Sequence, residues 1–275
     1  MDESEILVFV ASLFISVVFV YKWYWPILSV WPHNRGMAGR NALMLLPIVS
    51  QTVIFFTLKT LASFDVVDSP IYIIFYMLLG FSWFFIAKFI ITVLFDISPI
   101  DDIVIMRNKA ALIAFIGGFL GLTAVYSASN IGDGPGWWCV VFAGALGTVA
   151  WTALAVVAGR ISHVFERITV DRDIPGGIRL GCYLLADGII LGRASAGDWT
   201  SFSMTIVEFL DGWPAIPLTV LMVIIERYAI NSAKDKMNGS GIAEAVFAGL
   251  LFVALALLSV LLLPALPINP IYRGV

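Results

Sequence analysis

Charge is what this chain has least of. Only 13% of its 275 residues are Asp, Glu, Lys or Arg, while 60% are hydrophobic and the mean hydropathy is +0.97. A soluble domain carries about 25% charged residues, so the shortfall excludes a water-solvated globule and selects a membrane protein. A formal net charge of −3 is too small to imply nucleic acid as a partner. Cysteine is scarce as well. Cys139 and Cys182 fall in different apolar runs near opposite faces and read as small buried hydrophobes, not as a disulfide or a metal site. The two histidines, His33 and His163, fall in polar connectors and read as interfacial residues. There is no phosphate-binding loop, no dinucleotide fingerprint and no metal-ligand cluster. No catalytic residue, metal or cofactor is therefore assigned. The opening Met1-Asp-Glu-Ser-Glu5 lacks the basic stretch of a signal peptide, so the first apolar run reads as a retained span.

What the chain does have is long apolar runs. About 20 such residues make a spanning helix, and eight runs of that kind occur: 6–25, 42–63, 71–95, 110–129, 137–159, 174–196, 200–226 and 242–263. The connectors are short, so consecutive helices run antiparallel and no soluble domain has room to exist. The expected fold is an all-α polytopic transmembrane bundle in one integral membrane domain, with the lipid bilayer as its first partner. Twelve Lys or Arg residues fall in or beside the connectors of one side, including Lys22, Arg40, Arg107, Arg167, Arg172 and Lys234, against Arg193 and Arg273 on the other. The positive-inside rule then places both termini outside the cytoplasm. Trp23, Trp25, Trp31, Trp137, Trp138 and Trp199 fall near the ends of the runs, where interfacial anchors belong.

Four outward-going runs open on similar polar pairs: Arg40-Asn41, Arg107-Asn108, Arg172-Asp173 and Met237-Asn238, at intervals of 67, 65 and 65 residues. Asn and Asp are good helix N-caps, and the even spacing suggests four hairpins in parallel repeat. The stretches Arg107-Asn108-Lys-Ala-Ala-Leu-Ile-Ala-Phe-Ile-Gly117 and Arg172-Asp173-Ile-Pro-Gly-Gly-Ile-Arg-Leu-Gly181-Cys-Tyr-Leu-Leu-Ala186 resemble the YjfL-like inner-membrane proteins, a bacterial family of unknown function. The resemblance implies a multipass protein of the bacterial inner membrane, built as two fused four-helix halves, 1–133 and 134–275. It supplies no catalytic residues. The first copy matches less well, with Pro47 where a small residue is expected. Small residues four apart mark expected helix contacts: Gly117 with Gly121, Ala143 with Gly147, and Gly188 with Gly192.

The charges inside the runs carry the functional reading. Asp187 lies 14 residues past Asp173, about 21 Å along a helix. Counted from Asp198, Glu208 and Asp211 reach a depth within roughly 5 Å of it. Pro214 breaks the helix beside them by removing a backbone donor. Ionisable groups at bilayer depth are costly and usually face a bundle interior or a wet cavity. One reading gathers Asp187, Glu208 and Asp211 into a solvated site for a proton or small cation, with Arg193 supplying part of the compensating charge. The other makes them neutral packing groups, or puts 200–211 at the interface. Arg179 and Glu244 each lie six residues past their caps and are expected to pair. Glu226 and Arg227 read as boundary residues, and Lys59 and Lys88 as snorkelling to the interface. The favoured function is a transporter or channel-like protein. The rival is a structural or stress-response membrane protein, or a subunit of an oligomer or membrane complex, and an intramembrane enzyme ranks third.

Overall fold

The structure, a computed structural model, describes residues 2–30, 37–233, 241–269 and 271. Eight helices among them are long and apolar enough to cross a membrane. In chain order they are α1 (Glu3–Ser29), α2 (Met37–Thr60), α4 (Pro70–Leu94), α5 (Lys109–Ser129), α6 (Trp137–Ser162), α8 (Ile174–Ala194), the pair α9 (Phe202–Phe209) with α10 (Ala215–Ala233), and α11 (Gly241–Leu262). Short helices α3 (Phe64–Val67) and α7 (Val164–Thr169) and a π-helical turn, Pro99–Ile105, fill connectors. The seventh span is broken where expected: α9 tightens into a 3-10 turn at Leu210–Gly212, and Pro214 precedes α10. This is an all-α membrane bundle, with apolar side chains such as Leu7, Phe14, Phe247 and Leu261 on its outside.

Two helices form the centre. The spanning windows of α5 and α8 are 72% and 67% buried, against 39% or less for the other six. The four helices α2, α5, α8 and α11 pack in a row in that order, and the α5–α8 contact is the most extensive. On the flanks α1 packs on α4, and α6 and α10 pack on each other and on α8. Gly117 and Gly121 of α5 meet Gly181, Leu184 and Gly188 of α8 through backbone atoms. A Cβ built on Gly117 would stand 2.0 Å from the Gly181 carbonyl oxygen, and one on Gly188 would stand 2.3 Å from that of Gly121. Contact this close lets dispersion hold two helices that gain nothing from excluding water. The Cys182 thiol lies against Gly249 on the opposite flank, and Cys139 is buried.

Both ends of the bundle carry turns that recur along the chain. At the end holding the basic connectors, Asp96, Arg107, His163 and Arg172 all have φ between +53° and +55°. Asn108 N–H donates to Asp102 O at 2.9 Å, and Asp173 N–H donates to Arg167 O at 3.0 Å, so two connectors enter α5 and α8 alike. At the other, acidic end, Ala62 pairs with Gly132, Gly197 N–H donates to Ile131 O at 2.9 Å, and Asp198 N–H donates to Pro267 O at 3.0 Å. Segments after α2, α5, α8 and α11 thus lie side by side in the same order as the helices.

Some expectations fail here. Asn108 caps α5 by accepting from Ala111 N–H, and Asp173 occupies the cap position of α8. Asn41 caps nothing: α2 is already helical from Met37, where Gly39 packs on Ile103. Asn238, His33 and Trp31 lie outside the described residues. Trp23 is no interfacial anchor. It is 2% exposed, donates to the Leu43 carbonyl and stacks on Phe19. Lys59 reaches the Val67 carbonyl at the acidic end, whereas Lys88 lies over the Trp23 ring at 5.7 Å.

The seam makes a sharp prediction. Gly117→Ala or Gly188→Ala must push α5 and α8 apart, and overpacking of this kind costs about 1–3 kcal/mol or more. Gly241→Ala, whose Cβ would meet Pro175 at an ordinary 3.5 Å, serves as the control. Thermal unfolding of the purified protein in detergent should show lower midpoints for the first two variants only; equal midpoints for all three would contradict the seam.

Candidate functional site

Arg179, Tyr183 and Asp187 follow one another at four-residue steps on α8 and so share one face. That face meets α10, whose buried residues include Ala215, Thr219, Met222 and Glu226. The result is a buried polar row along an antiparallel helix contact. At its basic end Glu226, 0% exposed, accepts from Arg179 Nε and, at 3.1 Å, from Arg179 Nη2. Arg167 of α7 joins the same carboxylate and also reaches Asp173 at 3.2 Å. Two guanidinium groups and two carboxylates therefore balance. Sharing the charge offsets the large desolvation cost of burying it.

One turn further in, Tyr183 Oη and Thr219 Oγ1 are 2.8 Å apart. The Thr219 hydroxyl donates to the Ala215 carbonyl at 2.8 Å, so its single proton is committed and Tyr183 is the donor between them. Tyr183 also packs edge-on against Phe252 of α11. The next turn brings Asp187. Its side chain is 0% exposed, and neither carboxyl oxygen has a hydrogen-bond partner. Gly188 beside it is locked against Gly121, which fixes the depth and rotation of this turn. A buried polar group normally finds a partner, and a charge left bare in a low-dielectric interior costs several kcal/mol. Among the described residues Asp187 is the one carboxylate with both buried oxygens unpartnered.

Of the three carboxylates expected to share a site, Asp187 stands apart from Glu208 and Asp211, whereas Glu208 feels the charge of Asp211 three residues on. Glu208 lines a polar cavity at the acidic end together with Asp65, Asp133 and Asn130. Asp211 lines a separate apolar cleft of about 490 Å3 between α8, α10 and α11, with Ile190, Trp213 and Pro217 among its walls. Asp187 lines neither. Among the described residues no three His, Cys, Asp or Glu side chains come together as a metal site. The count of residues misjudged the depth: Gly212 packs on Leu191 and Ala194, one to two turns of α8 beyond Asp187 toward the acidic end, and α9 lies further out still. Arg193 feels the charge of Asp211 and donates to the Pro264 carbonyl at the end of α11.

The expected partner of Arg179 is also corrected. The carboxylate against it is Glu226, in place of the Glu244 suggested by matching depths. Glu226 read as a boundary residue because the apolar run stops there. Yet α10 continues to Ala233, two turns beyond, and carries Glu226 inside. The signal lay in the spacing: Thr219 and Glu226 are seven apart, which is one helix face. His163 stands exposed, 3.9 Å from Glu166.

No family model, no curated protein and no solved structure matches this chain. The chemistry of the site therefore rests on its own geometry.

Removing one partner from a buried ion pair typically costs about 3–5 kcal/mol, because the other charge is stranded. Glu226→Gln should lower the unfolding midpoint strongly, since it leaves Arg179 and half of Arg167 uncompensated. The double variant Arg179→Met with Glu226→Met should recover part of the loss, as Arg167 keeps Asp173. A Glu226→Gln protein as stable as the parent would show that the network contributes nothing.

Proposed function

We propose that this protein is a transporter or channel-like protein of the bacterial inner membrane that passes a proton or small cation past Asp187. The observation that carries the reading is the bare carboxyl of Asp187 at the inner end of a polar row. A proton on Asp187 cancels the charge that the surroundings leave uncompensated. Tyr183, Thr219 and the Arg179–Glu226 pair continue hydrogen-bonding groups from there toward the basic end. That end faces the cytoplasm by the positive-inside rule, with both termini on the other side. Release of the proton needs α10 to move, and the interruption before Pro214 uncouples α10 from α9. The resemblance to YjfL-like proteins fits a multipass inner-membrane protein, and the matched turns 65 residues apart support hairpins in parallel repeat, with 1–133 and 134–275 as fused halves.

A second reading is a structural membrane protein or a subunit of a larger complex. The closure of Asp187 to both ends of the bundle favours it. Vesicles decide between the two. The parent, reconstituted with a pH-sensitive dye inside, should dissipate an imposed pH gradient, and Asp187→Asn should slow this at least tenfold. No flux in the parent above empty vesicles, with an altered unfolding midpoint in Asp187→Asn, selects the structural reading. Unchanged flux in the variant removes Asp187 from the mechanism.

A further inference from the structure

The cavity that holds Glu208 has a chemistry of its own. It measures about 110 Å3 and sits at the acidic end, between α1, α4, α6, α9 and the connectors after α2, α5 and α8. A single water needs roughly 10–15 Å3 by this kind of measure, so there is room for several waters or a small organic molecule. Five carboxylates line it, those of Glu5, Asp65, Asp133, Asp198 and Glu208, and no Lys, Arg or His does so among the described residues.

Two of the five have structural work. Asp198 accepts from Asp133 N–H and Asn269 N–H, both at 2.9 Å. Glu5 accepts from Asp2 N–H at 2.9 Å and from the Tyr72 hydroxyl at 3.1 Å. Asp133 and Glu208 remain to answer to a ligand, while the Ser63 hydroxyl and the backbone N–H groups of Asp65 and Val66 act on the Asp65 carboxylate. Desolvation first, then the charges of Asp133 and Glu5, raise the pKa of Asp65, which lies in α3 outside the spans.

A second observation points inward independently of these charges. Asn130, 5% exposed, ends α5 and lines the cavity. Its Nδ2 donates to the Tyr126 carbonyl at 2.7 Å, an acceptor that fixes which way the amide is turned. The atom left over is Oδ1, a buried acceptor with no partner. An amide oxygen does not titrate, so a proton cannot satisfy it as it can a carboxylate. It needs a donor.

We infer that this cavity binds a short primary ammonium ion from the acidic side, with its N–H groups given to Asn130 Oδ1 and to the carboxylates of Asp133 and Glu208. Three N–H donors on one positive charge match a site of acceptors only. Tyr72, Tyr76 and Trp199 line the same space and suit the alkyl part and the charge. A bare divalent metal fits poorly. Calcium takes six to eight oxygens at about 2.3–2.6 Å, whereas no three carboxylates converge among the described residues. The inference deepens the proposed function by giving a cation class to one end of the bundle.

The test is isothermal titration calorimetry of the full chain in zwitterionic nanodiscs, with n-propylammonium chloride as the probe. Saturable binding is expected, weakened at least tenfold in Glu208→Gln and in Asn130→Leu, and retained in Asn130→Asp. Both Asn130 variants lose the donor to Tyr126, so their difference reports an acceptor at this position, which in Asn130→Asp also carries a charge. Tetramethylammonium, which has no N–H, should bind at least tenfold more weakly than propylammonium. Should the Asn130 variants not fold, Glu208→Gln with a parent-like unfolding midpoint decides. Absent binding, equal affinity for tetramethylammonium, unchanged binding in Glu208→Gln, or saturable heat with calcium chloride but not with propylammonium would each overturn the inference. Binding is read without flux, so its loss beside intact proton flux removes this site and leaves the reading of Asp187 standing.

Discussion

Gly117 and Gly121 on α5 press against the backbone of Gly181, Leu184 and Gly188 on α8, and every other feature takes its position from that contact. In lipid there is no gain from hiding apolar surface, because the tails are as apolar as leucine. Helices then hold together by close packing, which glycine permits because it adds no Cβ. The seam makes α5 and α8 the buried pair at the centre and leaves the remaining helices to supply the lipid-facing wall.

Using one face of α8 for that seam leaves another to meet α10, and this face bears Arg179, Tyr183 and Asp187. Its polarity is graded by how well each group is satisfied. Arg179 has a carboxylate with two oxygens, Tyr183 a hydroxyl, and Asp187 no partner at all. Low dielectric strengthens the first two arrangements and penalises the third. The same physics therefore gives one stretch of helix both its firmest anchor and its least satisfied group. Glycine on the seam side allows no rotation that would bring Asp187 to the lipid surface.

The two ends differ in the same graded way. At the basic end the buried Arg179 and Glu226 and the half-buried Arg167 and Asp173 close on each other. At the acidic end five carboxylates and the free oxygen of Asn130 surround a cavity in which acceptors outnumber donors. A field of one sign over low-dielectric walls concentrates ions of the opposite sign, and this is the physical basis of the cation site proposed at the unbalanced end.

The amino-acid sequence by itself determined the class of protein, the eight spans and the break before Pro214, because each follows from local composition or from a missing backbone donor. It also marked the glycine pairs at four-residue spacing and singled out Asp187, since a lone carboxylate at mid-membrane depth is visible by counting. Only the tertiary structure decided who meets whom. Depth along a helix is one coordinate, while contact needs rotation and neighbour as well. Arg179 and Glu244 share a level, yet Glu226 is the partner because α10, running two turns past it, lies against the right face of α8. Counting residues puts Glu208, Asp211 and Asp187 at one level too, yet Gly212 packs on Leu191 and Ala194, and the three carboxylates have three different surroundings. Trp23 sits near the end of its run but is drawn inside by the Leu43 carbonyl and the Phe19 ring, partners that no count of residues along the chain can reveal.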